Sequence, residues 1–304
     1  MVKDIISMLD MKEDLDKILI NAAKLKTKET KKGARKPLGS KNIVLLFEKQ
    51  SLRTKASFAV AIQQLGGNAI YMGPDEVQIG ERESPADVGK VLSSYFDCII
   101  YRAVSHEVMI ELSEAAYVPV INALDDQEHP CQVVADLMTI LEKKKSLRGL
   151  KLAYIGDGNN VCNSLLLGGA ITGMNVAAAS PSLHQPKKEI ISEAQSIAAE
   201  NDCKIEIFTN PFKAVEEADI IYTDVWISMG EESNREEKEK VFIPYKITEK
   251  MMAKANEDAI FMHCLPAHRG LEVEPEVIDG EKSVVFEQVE NRLHAQKAIL
   301  LAAL

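Results

Sequence analysis

Two hydroxyls and two cations, Ser51, Arg53, Thr54 and Lys55, fall together in the stretch FEKQSLRTKASF (47–58). An apolar run, NIVLLF (42–47), precedes them and a helical pattern follows. A strand that breaks into a Ser-initiated helix leaves backbone N–H groups unpaired at the positive end of the helix dipole, which suits the turn to an anion. Read alone, the same residues serve equally as an N-cap beside two solvated cations. Further polar segments follow other strand-like runs: RAVSHE (102–107), ALDDQEHPCQ (123–132), GDGNNVCNS (156–164), DVWISMGEE (224–232) and HCLPAHRG (263–270). His129 precedes Pro130, a residue favoured in the first helical turn, so a capping role competes with a chemical one. GDGNN lacks the G-x-G-x-x-G spacing that brings backbone against a pyrophosphate, which argues against a dinucleotide site. His263, Cys264 and His268 are poorly spaced for a metal, with a proline among them and no second helical His pair, so no metal is expected. Cys264, at a strand end, stands where a nucleophile could, but sequence places neither a base nor an oxyanion site for it.

The elements that must position these groups are short apolar runs separated by helical patterns. Strands are expected over 42–47, 68–72, 97–102, 118–122, 150–157, 175–180, 204–209, 219–224, 259–264 and 283–288. Such alternation, with strands too apolar to keep a wet face, is the pattern of parallel sheets covered on both sides. In such sheets ligands sit beyond the carboxyl ends of the strands, where the polar segments lie. The charged turn KKKSLRG (143–149) marks a boundary between two α/β domains, 1–145 and 146–304, of about five strands each. The tail VENRLHAQKAILLAAL reads as a last helix, about 288–304, whose apolar face crosses back to the first domain.

The 304 residues are 46% hydrophobic and carry a net charge of −10, which supports two cores and argues against nucleic acid or an anionic membrane surface as partner. No apolar run approaches the ~18 residues of a membrane span. The first 19 residues read as an amphipathic acidic helix without a signal-peptide core. Five cysteines without a CxxC pair indicate neither a disulfide framework nor a thiolate metal site, in keeping with a reducing cytoplasm. The basic run KLKTKETKKGARKP (24–37) reads as a solvated loop.

Taken together, the motifs resemble the ornithine carbamoyltransferases of the aspartate/ornithine carbamoyltransferase family. SLRTK stands where that family has Ser-Thr-Arg-Thr-Arg, and HPCQ, GDGNN, DVWISMG and HCLP follow in the family's order, with ENRLHAQKA near the end. The resemblance implies two Rossmann-like domains and transfer of the carbamoyl group of carbamoyl phosphate to the δ-amine of L-ornithine, without a cofactor, giving L-citrulline and phosphate. It assigns Ser51, Leu52 (through its backbone), Arg53 and Thr54 to the phosphate, and Arg102, His129 and Gln132 to the carbamoyl group. Arg292 reaches the carbamoyl oxygen or phosphate. Asn160 is assigned to the ornithine carboxylate, Asp224 with Ser228 and Met229 to the α-amino group, and Cys264 with the Leu265 carbonyl to the δ-amine. It further implies a homotrimer in which Gln78 of the loop VQIGERES reaches the neighbouring subunit's site. Three positions depart from the pattern: Leu52 for Thr, Lys55 for Arg, and Ala103 where Thr is usual. SLRT is also similar to the N-acylornithine enzymes, which leaves an acylated substrate as the alternative, with a non-catalytic relative behind it.

Overall fold

A strand built wholly of apolar residues has no side to offer water and is stable only between two covering layers. The computed structural model, which describes residues 4–28, 36–227 and 235–304, has that architecture twice. The chain divides into two compact units, one comprising Met1–Met138 with Glu290–Leu304 and the other Thr139–Val289.

In the first unit β1 (Asn42–Phe47), β2 (Asn68–Met72), β3 (Cys98–Arg102) and β4 (Val120–Leu124) form a sheet in the order β2-β1-β3-β4, all pairs parallel. Its helices are α1 (Leu15–Lys28), α2 (Arg53–Gln64), α3 (Pro74–Val77), α4 (Pro85–Ser93), α5 (His106–Ala115) and the start of α6 (Pro130–Lys144). One side of the sheet buries Val44, Leu46, Ile99 and Tyr101 against Val88 and Leu92 of α4 and Met109 and Leu112 of α5. Gly89 is required there, because a Cβ would lie 2.6 Å from the Leu112 carbonyl oxygen.

In the second unit β5 (Lys151–Ile155), β6 (Asn175–Ala179), β7 (Ile205–Phe208), β8 (Ile220–Thr223) and β9 (Ile260–His263) pair in the order β7-β6-β5-β8-β9, again all parallel. α7 (Asn160–Thr172) is buried almost all round, as its run of Val, Leu, Gly and Ala requires. After it come α8 (Lys188–Glu200), α9 (Pro211–Val215), α10 (Arg235–Phe242), α11 (Glu249–Met252), α12 (Pro275–Ile278) and α13 (Val285–Ala303), whose residues from Glu290 onward belong to the first unit.

Both strand orders reverse direction once, at β1/β3 and at β5/β8. At such a reversal the connections leave to opposite sides and open a crevice beyond the strand ends. The segments SLRT and RAVS therefore border one crevice, and GDGNN and DVWI the other.

Several local expectations are corrected. Segment 283–288 is not a strand: Ser283 makes one isolated bridge to Phe261, and the chain then enters α13, with Gln288 N–H donating to the Val284 carbonyl at 2.9 Å. Two valines and a phenylalanine read as a strand because so short a run has no distinguishing period. The sheets accordingly hold four and five strands. The N-terminus is not one helix. Ile5 instead pairs with Ile121 beside β4, a 3-10 turn follows at Met8–Met11 under a Ser7–Asp10 capping box, and the helix begins at Leu15. Residues 24–28 of the basic run belong to α1 rather than to a loop, while 29–35 lie outside the described residues. α2 starts at Arg53 with Leu52 as its N-cap, and Ser51 caps from one residue further back, its Oγ accepting from Thr54 N–H at 3.2 Å. Among the described residues no helix is long and apolar enough to cross a membrane.

Candidate active site

In the first unit, groups from four separate elements meet around one imidazole. Arg102 ends β3, His129 and Gln132 open α6, Thr54 lies in the first turn of α2, and Arg292 projects from α13. All are buried, at 5%, 6%, 1%, 2% and 3% exposure respectively. Arg292 Nη2 donates to Thr54 Oγ1 at 2.7 Å, across 238 residues of chain. Gln132 Nε2 donates to Asp136 Oδ1 at 2.8 Å, while its Oε1 and the Arg102 Nε have no hydrogen-bond partner among the described residues. Burial, with Arg292 and Arg53 nearby, pushes the Arg102 guanidinium down to about 10. Burial and then Arg292, Arg102 and Arg53 hold His129 well below its ordinary value, so the imidazole is neutral at pH 7. The cluster is thus a cationic site with a neutral imidazole at its centre.

Two neighbouring loops are held by residues that the motif reading passed over. Glu48, next after β1, accepts from the Tyr101 hydroxyl at 2.7 Å and from Val104 N–H at 2.8 Å, which ties down the turn after Arg102. Asp125, fully buried, accepts from Gln127 and Glu128 N–H at 2.8 and 2.7 Å, from Asn122 Nδ2 at 2.9 Å and from His106 Nδ1 at 2.6 Å. That carboxylate shapes the turn delivering His129. The signal was present in the acidic pair that opens DDQEHP, but nothing in the spacing told buried from solvated acids.

The three departures have structural consequences. Leu52 is 79% exposed, so the missing Thr hydroxyl leaves the backbone at the α2 N-terminus unchanged. Lys55 places its Nζ 3.3 Å from the centre of the Tyr71 ring, a cation–π contact. Ala103 is buried. A cavity of about 550 Å³ opens beside Ser51 and Leu52, walled by Lys55, Tyr71 and Glu76. Gln78 closes α3 in a left-handed conformation (φ 51°), its carbonyl accepting from Glu81 and Arg82 N–H.

In the second unit Asp224 follows β8 and Cys264 follows β9. The Cys264 thiol meets Asp224 Oδ1 at 2.9 Å, the same oxygen that accepts from Val225 N–H at 2.8 Å. Asp224 Oδ2 accepts from Asn159 Nδ2 at 2.8 Å. Asn159, the first Asn of GDGNN, was not among the expected site residues; Asn160 beside it is the first residue of α7 and half-buried. Leu265 is in the left-handed region (φ 58°), its N–H donating to His263 Nδ1 at 2.8 Å. Ser228 and Met229 lie outside the described residues.

Ligand atoms of Asp224, His263 and Cys264 lie within 4.8 Å of one another, a grouping that could in principle hold a metal ion. The donors are engaged otherwise. His263 Nδ1 accepts from Leu265, which puts its proton on Nε2, 3.4 Å from the buried Glu272, and Cys264 is spent on Asp224. His268 also faces Glu272, at 3.7 Å, rather than joining Cys264.

A buried cationic cluster lies near one sheet reversal and a carboxylate–thiol pair near the other, in a two-domain α/β protein. Residues 3–142 match the family model for the aspartate/ornithine carbamoyltransferase carbamoyl-P binding domain, and residues 148–303 that for its Asp/Orn binding domain. The chain belongs to the aspartate/ornithine carbamoyltransferase family. It is 53% identical to the ornithine carbamoyltransferase of Picrophilus torridus over 300 residues, 99% of this chain and 98% of that one. It is 50% identical to the catabolic ornithine carbamoyltransferase of Thermoplasma volcanium, over 98% and 97% of the two chains. Among solved structures, ornithine carbamoyltransferase from Pyrococcus furiosus superposes with a TM-score of 0.95 at 44% identity, covering 98% of this chain and 96% of that one.

The depressed proton affinity of His129 has a signed consequence for stability. The unfolded chain protonates this residue near pH ~6.5, the folded chain only well below that, so the contribution is complete above pH ~6.5 and is lost as pH falls. Between pH 7.5 and 5.5 the parent is expected to lose about 1.4 kcal/mol more unfolding free energy than His129→Gln. Urea titrations of both proteins at the two pH values measure it, and equal losses would remove the imidazole from the buried cationic cluster.

Proposed function

We propose that this protein is an ornithine carbamoyltransferase acting on carbamoyl phosphate and free L-ornithine. The observation that carries the choice of amine is the Asp224 carboxylate beside Cys264 at the β8 and β9 ends. A carboxylate suits the α-ammonium of a diamino acid, whereas aspartate would require cations for its second carboxylate and an acylated ornithine has no α-ammonium to pair. Asn160, with Ser228 and Met229, completes the grip on the amino-acid head, and Cys264 with the Leu265 carbonyl receives the δ-amine.

On the first unit, Ser51, Arg53, Thr54 and the Leu52 backbone at the start of α2 bind the phosphate. Arg102, Arg292 and His129 aim at the carbamoyl oxygen, and Gln132 orients the carbamoyl amide. The neutral state of His129 means that it stabilises the oxygen as an N–H donor, while the guanidiniums supply the charge. The δ-nitrogen lone pair attacks the carbamoyl carbon, and the carbonyl oxygen takes up negative charge. On collapse the C–O bond to phosphate breaks, with the amine proton passing to the departing phosphate. A free alkylamine has a pKa of ~10.4, so presenting it neutral at pH ~8 costs about 3 kcal/mol, which desolvation beside Cys264 offsets.

The protein works in the cytoplasm, where its five cysteines, none of them in a disulfide, stay reduced. It acts as a homotrimer whose sites each borrow Gln78 from a neighbour. A citrulline assay with ornithine, N-acetylornithine and putrescine tests the substrate. Only ornithine is expected to react well, because loss of the ammonium–carboxylate pair costs about 1.5–3 kcal/mol, roughly ten- to a hundredfold in kcat/KM. Equal turnover of N-acetylornithine would move the assignment to the acylornithine enzymes. For the assembly, co-refolding of inactive Gln78→Ala and Arg53→Ala chains is expected to restore citrulline synthesis, since mixed trimers contain sites with both native residues. Activity no higher than the mean of the two parents, with subunit exchange verified by native mass spectrometry, would mean self-contained sites.

A further inference from the structure

We propose that Asn159 is a positioning residue that fixes the Asp224 carboxylate in its amine-binding orientation. This rests on the reading of Asp224 as the partner of the ornithine α-ammonium. Asn159 is the N-cap of α7, and its Oδ1 accepts from the N–H groups of Val161 and Cys162 at 3.0 and 3.1 Å. Two backbone donors can be met only by an oxygen, so the amide cannot be reversed without leaving both unpaired. Its Nδ2 is thereby committed to Asp224 Oδ2, at 2.8 Å. The other carboxylate oxygen is held by Val225 N–H and the Cys264 thiol. The carboxylate is therefore pinned at both ends, and the orientation at one end is dictated by a helix cap in another loop. Nearby, the Tyr154 hydroxyl donates to the Asp157 carbonyl at 2.8 Å and lies 3.2 Å from Asn159 Oδ1, which braces the same turn.

The two duties of Asn159 separate by substitution. Ser is as good an N-cap as Asn, so Asn159→Ser keeps the α7 cap but deletes the donor to Asp224. Its melting temperature is expected to stay near that of the parent, whereas Asn159→Ala, which loses both, melts lower. For Asn159→Ser the KM for ornithine should rise roughly ten- to a hundredfold, with the KM for carbamoyl phosphate unchanged. Because the effect passes through Asp224, adding Asn159→Ser to Asp224→Asn should raise the ornithine KM far less than it does in the parent. A crystal structure of Asn159→Ser should show the Asp224 carboxylate rotated from its parental position. That readout does not depend on the reaction: a rotated carboxylate in a protein that makes no citrulline would refute the functional reading and leave the positioning role standing. An unmoved Asp224, or an ornithine KM equal to the parent's, would overturn the proposal.

Discussion

Burying positive charge around a single imidazole is the constraint on which the first unit depends. A guanidinium withdrawn from water is expensive unless something replaces the solvent, and the same burial pushes Arg102 down to about 10 and holds His129 well below its ordinary value. The fold offers partial relief: Thr54 accepts from Arg292, and the side chains are locked by packing on β3, α2, α6 and α13. No element bearing this cluster can shift without moving a buried polar group. The parallel sheet and its β1/β3 reversal are thus the means of holding cations together beyond the strand ends, where the N-terminus of α2 adds a positive dipole end.

The second unit solves the opposite problem with the same architecture. There the buried charge is a carboxylate, and it is surrounded by donors, namely a backbone N–H, a thiol and a carboxamide. A carboxylate with both oxygens satisfied costs the fold little. The two units therefore differ in the sign of the charge they bury.

Much of this was legible in the chain. Uniformly apolar strands followed by polar turns dictated parallel sheets and put SLRT, HPCQ, GDGNN and HCLP at strand ends, where the structure has them. What sequence could not supply was partnership across distance. Nothing near Thr54 announces Arg292, and nothing in GDGNN tells which Asn caps the helix and which is its first residue. Asp125 and Asp126 are chemically identical neighbours, yet one is a buried clamp with several donors and the other is exposed. Residues 283–288 misled because a bridge of one residue and the start of a helix share the same apolar letters. Each failure concerns burial decided by tertiary packing, which local propensity does not encode.

If the cationic cluster is held at a cost so that an anion can fill it, its charge should weigh on the empty protein and be relieved by phosphate. Thermal unfolding of the parent and of Arg102→Met, with inorganic phosphate or with chloride at equal ionic strength, measures both effects. Methionine keeps much of the volume and removes the charge, so the variant is expected to melt higher than the parent in chloride and to gain less from phosphate. A variant that melts lower in chloride and responds to phosphate as the parent does would contradict an anion site built on buried positive charge.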